Sequence, residues 1–262
     1  MRFPFMGACL LRFAVAASFG CAAATANPAP SDESKALAVP APGPAEIAVA
    51  EPAPRVEEPS VKPGINAPYF RDDGLDRYTR ILEAETREIV RRRSDIVDAI
   101  GLEEGTVVAD IGAGTGLLTI EMAKQVGQRG TVFAVDIVPV FLERIRERAR
   151  TEGLGNIVVV RGEERATGLK PASLDLAFMC DTYHHIEYPE TYMRSLFQAL
   201  RQGAILVLVD MKRPEGQSSP AVLRHVRADK PTVIAEVEQA GFVFESEIDL
   251  LRENYYLRFR RP

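Results

Sequence analysis

From residue 107 to residue 259, short runs of branched apolar residues alternate with longer amphipathic segments, and few folds accept that pattern. Val107–Ile111, Thr131–Val135, Asn156–Val160, Leu174–Met179 and Ala204–Val209 read as buried strands. Between and after them, Leu117–Val126, Val138–Thr151, Glu190–Leu200 and Thr232–Ala240 carry apolar residues at helical spacing. Phe242–Leu250 and Tyr255–Phe259, joined by Leu251-Arg252-Glu253-Asn254, read as an antiparallel hairpin. Strands alternating with helices predict an α/β fold: a doubly wound, mostly parallel seven-stranded sheet with that hairpin at its end. Right-handed crossovers fix the winding, and ligands bind outside the carboxyl ends of the strands where the strand order reverses. Chemistry is therefore sought just after each strand.

The chain before this pattern is of two kinds. Leu75–Ala99 is predicted as one helix, because Ile81-Leu82, Ile89-Val90, Ile96-Val97 and Ile100 recur about every seven residues. Residues 1–68 read differently. Arg2 and Arg12 precede an apolar run, Phe13–Ala24, that is short for a bilayer span, and Ala24-Thr25-Ala26 offers a small-x-small cleavage site. Residues 1–26 are expected to be a signal peptide, exporting the chain or anchoring it on the periplasmic side of a membrane. Ser18-Phe19-Gly20-Cys21 offers a lipoprotein alternative, and a leader that is no functional signal leaves the chain cytoplasmic. Residues 27–68 hold ten of the 18 prolines with no apolar period and are expected to be a disordered Ala/Pro-rich linker, leaving 69–262 as the folded domain.

After the first strand comes Asp110-Ile111-Gly112-Ala113-Gly114-Thr115-Gly116. Its glycines permit a tight strand-to-helix turn and a close backbone approach to a ligand, and the following helix offers free N–H groups. Leu117 stands where a dinucleotide fingerprint wants glycine or alanine, and no Gly-Lys-Ser/Thr follows as in a phosphate loop. The second strand ends in Asp136, placed to accept both hydroxyls of a ribose, and the third in Gly162-Glu163-Glu164.

The run VVADIGAGTGLLTIEMA, then VFAVDI, then a glycine–acid pair after the third strand resembles the class I S-adenosylmethionine-dependent methyltransferases, whose Rossmann-like order residues 69–262 follow. The resemblance implies S-adenosylmethionine as cofactor. Gly112, Ala113, Gly114 and Gly116 would form its loop, with Asp110 under the methionine end. Asp136 and Ile137 would lie at the ribose, Gly162 and Glu163 near the adenine, and Cys180 at the end of the fourth strand. Glu164 competes with Glu163 for the adenine amine.

The acceptor side is read from residue types. Cys180 is followed by Asp181-Thr182-Tyr183-His184-His185, and the whole chain has three histidines. Imidazole titrates near neutrality and suits proton removal from an acceptor, so His184 and His185 are catalytic candidates with Asp181 and Tyr183, Asp181 and His184 being the preferred pair. Packing of the next helix is the competing role for either histidine. No metal site is expected: the cysteines are too few and adjacent histidines on one turn share an ion poorly. After the fifth strand, Arg213, His225 and Arg227 can hold an anionic group of a substrate, or else face solvent. The Asp-x-Tyr-His-His and His-Val-Arg runs are similar to those of bacterial methyltransferase-domain proteins. Tyr69, Arg77, Tyr78, Arg87 and Arg91 of the front segment are expected to close over the cofactor.

The expected function is methyl transfer to a small-molecule or lipid-like acceptor by direct displacement, with quinone-type C-methylation and carboxylate O-methylation both open. The alternative is an exported, non-catalytic nucleoside-binding module of the same fold, because the leader points away from the compartment where the cofactor is made. Net charge is −5, and loss of Arg2 and Arg12 with the leader leaves 30 basic against 37 acidic residues. No nucleic-acid partner is expected of so acidic a chain. A membrane tether through the N-terminus is a candidate partner, and oligomeric state is not legible.

Overall fold

The computed structural model describes residues 58–71, 74–213 and 219–262. The readings of the leader, Cys21 and most of the linker therefore lie outside the described residues. Seven strands form one sheet: β1 Val107–Ile111, β2 Thr131–Asp136, β3 Ile157–Arg161, β4 Leu174–Cys180, β5 Leu200–Met211, β6 Val243–Ile248 and β7 Asn254–Arg260. Their order is β3-β2-β1-β4-β5-β7-β6, parallel from β3 to β5, with β7 antiparallel to both of its neighbours. The order reverses between β1 and β4, and the glycine turn leaves β1 at that point. This is the expected doubly wound fold with its C-terminal hairpin.

The period of two along each strand sorts the core into two layers. Ala109, Ile111, Ala177, Met179, Leu206 and Leu208 face one layer, which takes Tyr192, Met193 and Leu196 of α6 (Pro189–Ala199) and Val233 and Val237 of α8 (Lys230–Gln239). Val108, Leu176, Phe178, Val207 and Val209 face the other, against Leu118, Met122 and Val126 of α4 (Leu117–Val126) and Ile96, Val97 and Ile100 of α3 (Arg93–Ile100). Helix α5 (Pro139–Glu152) starts on a proline and ends on Gly153 in the left-handed region.

Three expectations change. The front helix is broken into α1 (Gly74–Leu82), α2 (Glu88–Arg91) and α3. The seven-residue apolar period runs straight through the break because tertiary contacts make it. Arg87 is extended and reaches Asp181, while the Glu88 carboxylate accepts from the backbone N–H groups of Arg252 and Glu253 in the β6–β7 turn. Strand β5 begins at Leu200 rather than Ala204, since Leu200 pairs with Leu174 ahead of a bulge. The linker does not extend to residue 68. Glu58 accepts from the N–H groups of Glu190 and Thr191 at 2.9 Å and so caps α6. Val61 N–H donates to the Glu187 carbonyl, Ser60 donates to the Glu187 carboxylate at 2.7 Å, and Asn66 donates to the His185 carbonyl at 3.0 Å. A short helix the periodicity did not show, α7 (Pro220–His225), is capped by the Ser219 hydroxyl.

Candidate active site

The ends of β1, β2 and β4 open into a cleft enclosing about 1130 Å³, part of it open to solvent. On one side lies the glycine turn. Gly112 has φ +71, and a Cβ there would stand 2.3 Å from the Thr182 side chain, so this glycine is required where the turns after β1 and β4 meet. Gly114 differs: at φ +53 its missing Cβ would touch Leu82 at 3.6 Å, an ordinary contact. Its absence leaves the cleft open rather than relieving a clash.

The carboxylates of this half are held in place. Asp136 accepts from the backbone N–H groups of Gly114 and Val138, each at 2.8 Å, which ties β2 to the turn. Burial pushes its pKa up to about 6 against those hydrogen bonds. Asp110 accepts from the Thr119 hydroxyl at 2.6 Å, and burial raises its pKa to about 7. Each carboxylate oxygen keeps acceptor capacity for a ligand. Both Glu163 and Glu164 reach the cleft. Leu117, Leu118, Val135, Ile137, Val138 and Phe141 give it an apolar floor.

Across the cleft stand Cys180, Asp181, Thr182, His185 and Ile186, with Asn66, Tyr69, Leu82 and Arg87 from the front segment over them. Asp181 has φ +47, a strained conformation for a residue with a side chain, and is fixed by Arg87 at 2.5 Å and by Asn254. Burial, and then the charge of Asp210, raises its pKa despite Arg87. His184 lies beneath: its Nδ1 meets Asp210 Oδ1 at 2.6 Å and its backbone N–H donates to Oδ2 at 3.0 Å. Burial alone would lower the His184 pKa, but Asp210 outweighs it and the pKa rises. His185 is the histidine that lines the cleft. Its Nε2 is 3.3 Å from the Tyr69 hydroxyl and its buried Nδ1 has no partner among the described residues. Burial first, then His184 and His225, push its pKa down to about 2, so the ring stays neutral. The Cys180 thiol is likewise pushed up by burial and stays protonated.

A family model described as a methyltransferase domain matches residues 108–203. The ubiquinone/menaquinone biosynthesis C-methyltransferase UbiE of Salmonella arizonae is 29% identical over 119 residues, covering 45% of this chain and 47% of that one. The chain thus spans about half the length of the curated relatives it matches. Among solved structures, a SAM-dependent methyltransferase from Aquifex aeolicus superposes with a TM-score of 0.65 at 24% identity, covering 71% of this chain and 98% of that one. Phosphoethanolamine N-methyltransferase 2 of Haemonchus contortus, in complex with S-adenosyl-L-methionine, gives 0.58 at 18% identity, covering 71% and 45%. The matched segment is the one that carries the glycine turn, Asp136 and the wall after β4. Residues 108–203 are thus similar to a methyltransferase domain, on the fold of S-adenosylmethionine-dependent methyltransferases.

The residues present fit that domain's cofactor. Asp110, Gly112, Ala113, Gly114, Asp136, Ile137, Glu163 and Cys180 all line the cleft. Gly116 and Gly162 stand behind it. A Cβ at Gly116 would meet Ile145 at 2.8 Å, and one at Gly162 would meet Val135 at 3.0 Å, so these two glycines serve packing.

On the acceptor side of the methyltransferase domain, several residues are placed otherwise than expected. The preferred pair Asp181 and His184 is not formed: the partner of His184 is Asp210 and that of Asp181 is Arg87. Tyr183 is fully buried in the core and donates to Glu236 at 2.7 Å, away from the cleft. Arg227 is committed to the same Glu236 through two bonds of 2.9 and 2.7 Å and does not line the cleft. Arg213 adjoins the undescribed residues 214–218 and does not line the cleft. His225 comes to the two other histidines rather than to an anion site. Of the front segment, Tyr69 and Arg87 cover the cleft, and Tyr78 packs on Tyr69 and Phe141. Arg77 stacks on Tyr78, and Arg91 is exposed, bound to the Glu85 and Thr86 carbonyls; neither lines the cleft. Sequence reading passed over Asp210, although it sits at a strand's carboxyl end where such residues are sought. It had no signal for Asn66, Leu82 or Asn254, which arrive from distant segments.

Proposed function

We propose that this chain methylates a small, hydroxylated aromatic or lipid-like acceptor by direct displacement. One observation carries the reading: a single cleft at the sheet's reversal point has the glycine turn and Asp136 on one side and Asp181, Thr182 and His185 on the other. Bound there, S-adenosylmethionine supplies a methyl carbon activated by its sulfonium. Asp136 would hold the nucleoside end, and the glycine turn, without side chains at Gly112 and Gly114, would let it approach closely. Leu82, Tyr69 and Arg87 cover the space, limiting water and fixing the line of approach, which is the main contribution such a transfer needs. A new acceptor–methyl bond would form as the carbon–sulfur bond breaks, with S-adenosylhomocysteine as the leaving group and the acceptor's proton lost to solvent.

The neutral His185 is a weak base, so this site suits an acceptor that ionises readily, such as an enolic or phenolic ring. The apolar lining favours the same class. The likeness to UbiE, whose name specifies quinone C-methylation, supports it. Calorimetry on the full chain, with Asp136→Ala and Gly114→Arg, tests the cofactor step: micromolar binding lost in both supports the reading. A folded chain with no binding returns weight to the non-catalytic module. A screen of quinol-like acceptors follows, with release of S-adenosylhomocysteine as readout.

We also propose, from the leader alone, that the chain is exported or held at a membrane. Among the described residues no helix is long and apolar enough to cross one. Fractionation of a tagged chain decides: the unprocessed full-length protein in the cytosol overturns export.

A further inference from the structure

The chain has three histidines, and all three converge. His184 and His185 come from the single 3-10 turn after β4, and His225 from the last residue of α7, about forty residues on. Their ring centroids form a triangle with sides of 4.4, 4.9 and 4.9 Å. One nitrogen from each ring lies within 4.8 Å of the others. Adjacent histidines on one turn were expected to share an ion poorly, but the third ring changes the geometry and makes the cluster three-sided.

Three details distinguish this cluster from chance packing of rings. His184 Nε2 and His225 Nε2 are 3.2 Å apart. Two nitrogens at about 2.0–2.1 Å from one tetrahedral ion stand about 3.3–3.4 Å apart, so the observed pair needs almost no movement to share one. The Asp210 carboxylate, 1% exposed, holds His184 by Nδ1. That contact fixes the tautomer whose Nε2 lone pair faces His225, and a carboxylate behind a ligating imidazole is the usual means of orienting it. His185 has a buried Nδ1 without a partner among the described residues, while its Nε2 reaches the Tyr69 hydroxyl. A buried ring nitrogen with no bond is a donor atom kept for something else.

We propose that His184, His185 and His225 form a binding site for one divalent transition-metal ion, with Asp210 orienting His184. Three neutral imidazoles without thiolate suit Zn²⁺, and also Cu²⁺, Ni²⁺ or Co²⁺, rather than Mg²⁺ or Ca²⁺. Three protein ligands leave a fourth position open, as in metal sites that bind a water or a substrate oxygen. The site borders the cleft through His185. It also ties α7, which follows the undescribed residues 214–218, to the turn after β4. Lys62 lies on the outer side, donating from Nζ to the carbonyls of Arg224 and His225. The proposal rests on the three rings and Asp210 and does not depend on the methyltransferase reading.

The test uses the full chain, purified without a histidine tag and stripped with a chelator. Zn²⁺ is titrated against a competing indicator, Co²⁺ by its visible spectrum, and thermal unfolding is followed with and without Zn²⁺. The expected result is one equivalent bound, an intense four-coordinate cobalt band, and a rise in Tm on adding Zn²⁺. His225→Ala, on an exposed helix end where folding is not at stake, is expected to weaken binding by about 100-fold or more and to remove the Tm shift. Asp210→Asn is expected to weaken it about 10- to 100-fold. A folded wild-type chain that takes up neither ion overturns the site. So does binding that His225→Ala leaves unchanged, since the ion then sits elsewhere.

Discussion

The two sides of the cleft are built by different means. The cofactor side is local: β1, the glycine turn and α4 are continuous in sequence, and Asp136 closes on that turn through Gly114 N–H from the neighbouring strand. The acceptor side is assembled from distant pieces. Arg87 reaches Asp181 across 94 residues, Asn254 reaches it across 73, and His225 reaches His184 across 41. A contiguous turn holds a shape that any nucleoside sulfonium can use, whereas a wall of imported side chains can be changed one residue at a time. The division separates what a fold conserves by geometry from what sets its acceptor.

The strongest test of the local side lies within the glycine turn. Gly112→Ala puts a Cβ 2.3 Å from Thr182 at φ +71, whereas Gly114→Ala meets Leu82 at 3.6 Å. Steric overlap with a stiff β-branched side chain and backbone strain together are expected to remove about 3 kcal/mol or more at Gly112. The Gly114 change is expected to remove about 1 kcal/mol. Denaturant unfolding of the two variants measures the gap, and equal losses would show that the turns after β1 and β4 do not lean on Gly112.

Cofactor binding should also report the charge of Asp136. The ribose hydroxyls can donate to it fully only when it is ionised, and its folded pKa is about 6. Affinity for S-adenosylmethionine is therefore expected to hold above that pH and to fall as pH drops through it. Asp136→Asn should flatten the profile and weaken binding about 10- to 100-fold, the worth of hydrogen bonds to a charged acceptor. Calorimetry across pH reads both, and an unchanged slope in the variant assigns the titration to another group.

The same contrast explains what was legible beforehand. Seven strands, their parallel order and the hairpin follow from apolar runs and periods that each segment carries within itself. So do the glycine turn and Asp136, because motif and strand end coincide. The break in the front helix was hidden, since its cause is Arg87 reaching Asp181 and Glu88 holding the β6–β7 turn. The partner of His184 was misassigned for the same reason: Asp181 is near in sequence, but Asp210 is near in space. Composition likewise placed residues 58–66 in a linker, because prolines and alanines do not show that Glu58 caps α6.

That cap makes the next, smaller prediction. Glu58→Ala leaves the N–H groups of Glu190 and Thr191 without their acceptor and is expected to lower stability by about 1 kcal/mol, the usual worth of a helix cap. Removing residues 1–68 should lower it further than removing 1–57, by taking Ser60 and Asn66 off Glu187 and His185. Thermal unfolding of the three forms ranks them. A truncation at 68 as stable as the full chain would mean that the docked segment adds nothing.

The smallest effect belongs to Tyr183, which stands between Thr182 and His185 of the cleft wall but does not line the cleft itself. Its ring is fully buried and its hydroxyl donates to Glu236, which Arg227 already holds by two bonds. Glu236 keeps a charged partner when that hydroxyl is removed, so no carboxylate is left unpaired and the loss is one hydrogen bond. Tyr183→Phe is expected to cost about 0.5–1.5 kcal/mol of stability. Cofactor affinity and the rate of methyl transfer should stay within about twofold, as for a change away from the reacting atoms. His185, two residues further on in the same turn, differs by lining the cleft, and its replacement is expected to alter acceptor handling instead. If Tyr183→Phe lowered kcat while leaving Tm in place, the Tyr183–Glu236–Arg227 cluster would have to open toward the cleft during turnover, and the acceptor wall would extend one layer deeper than Thr182 and His185.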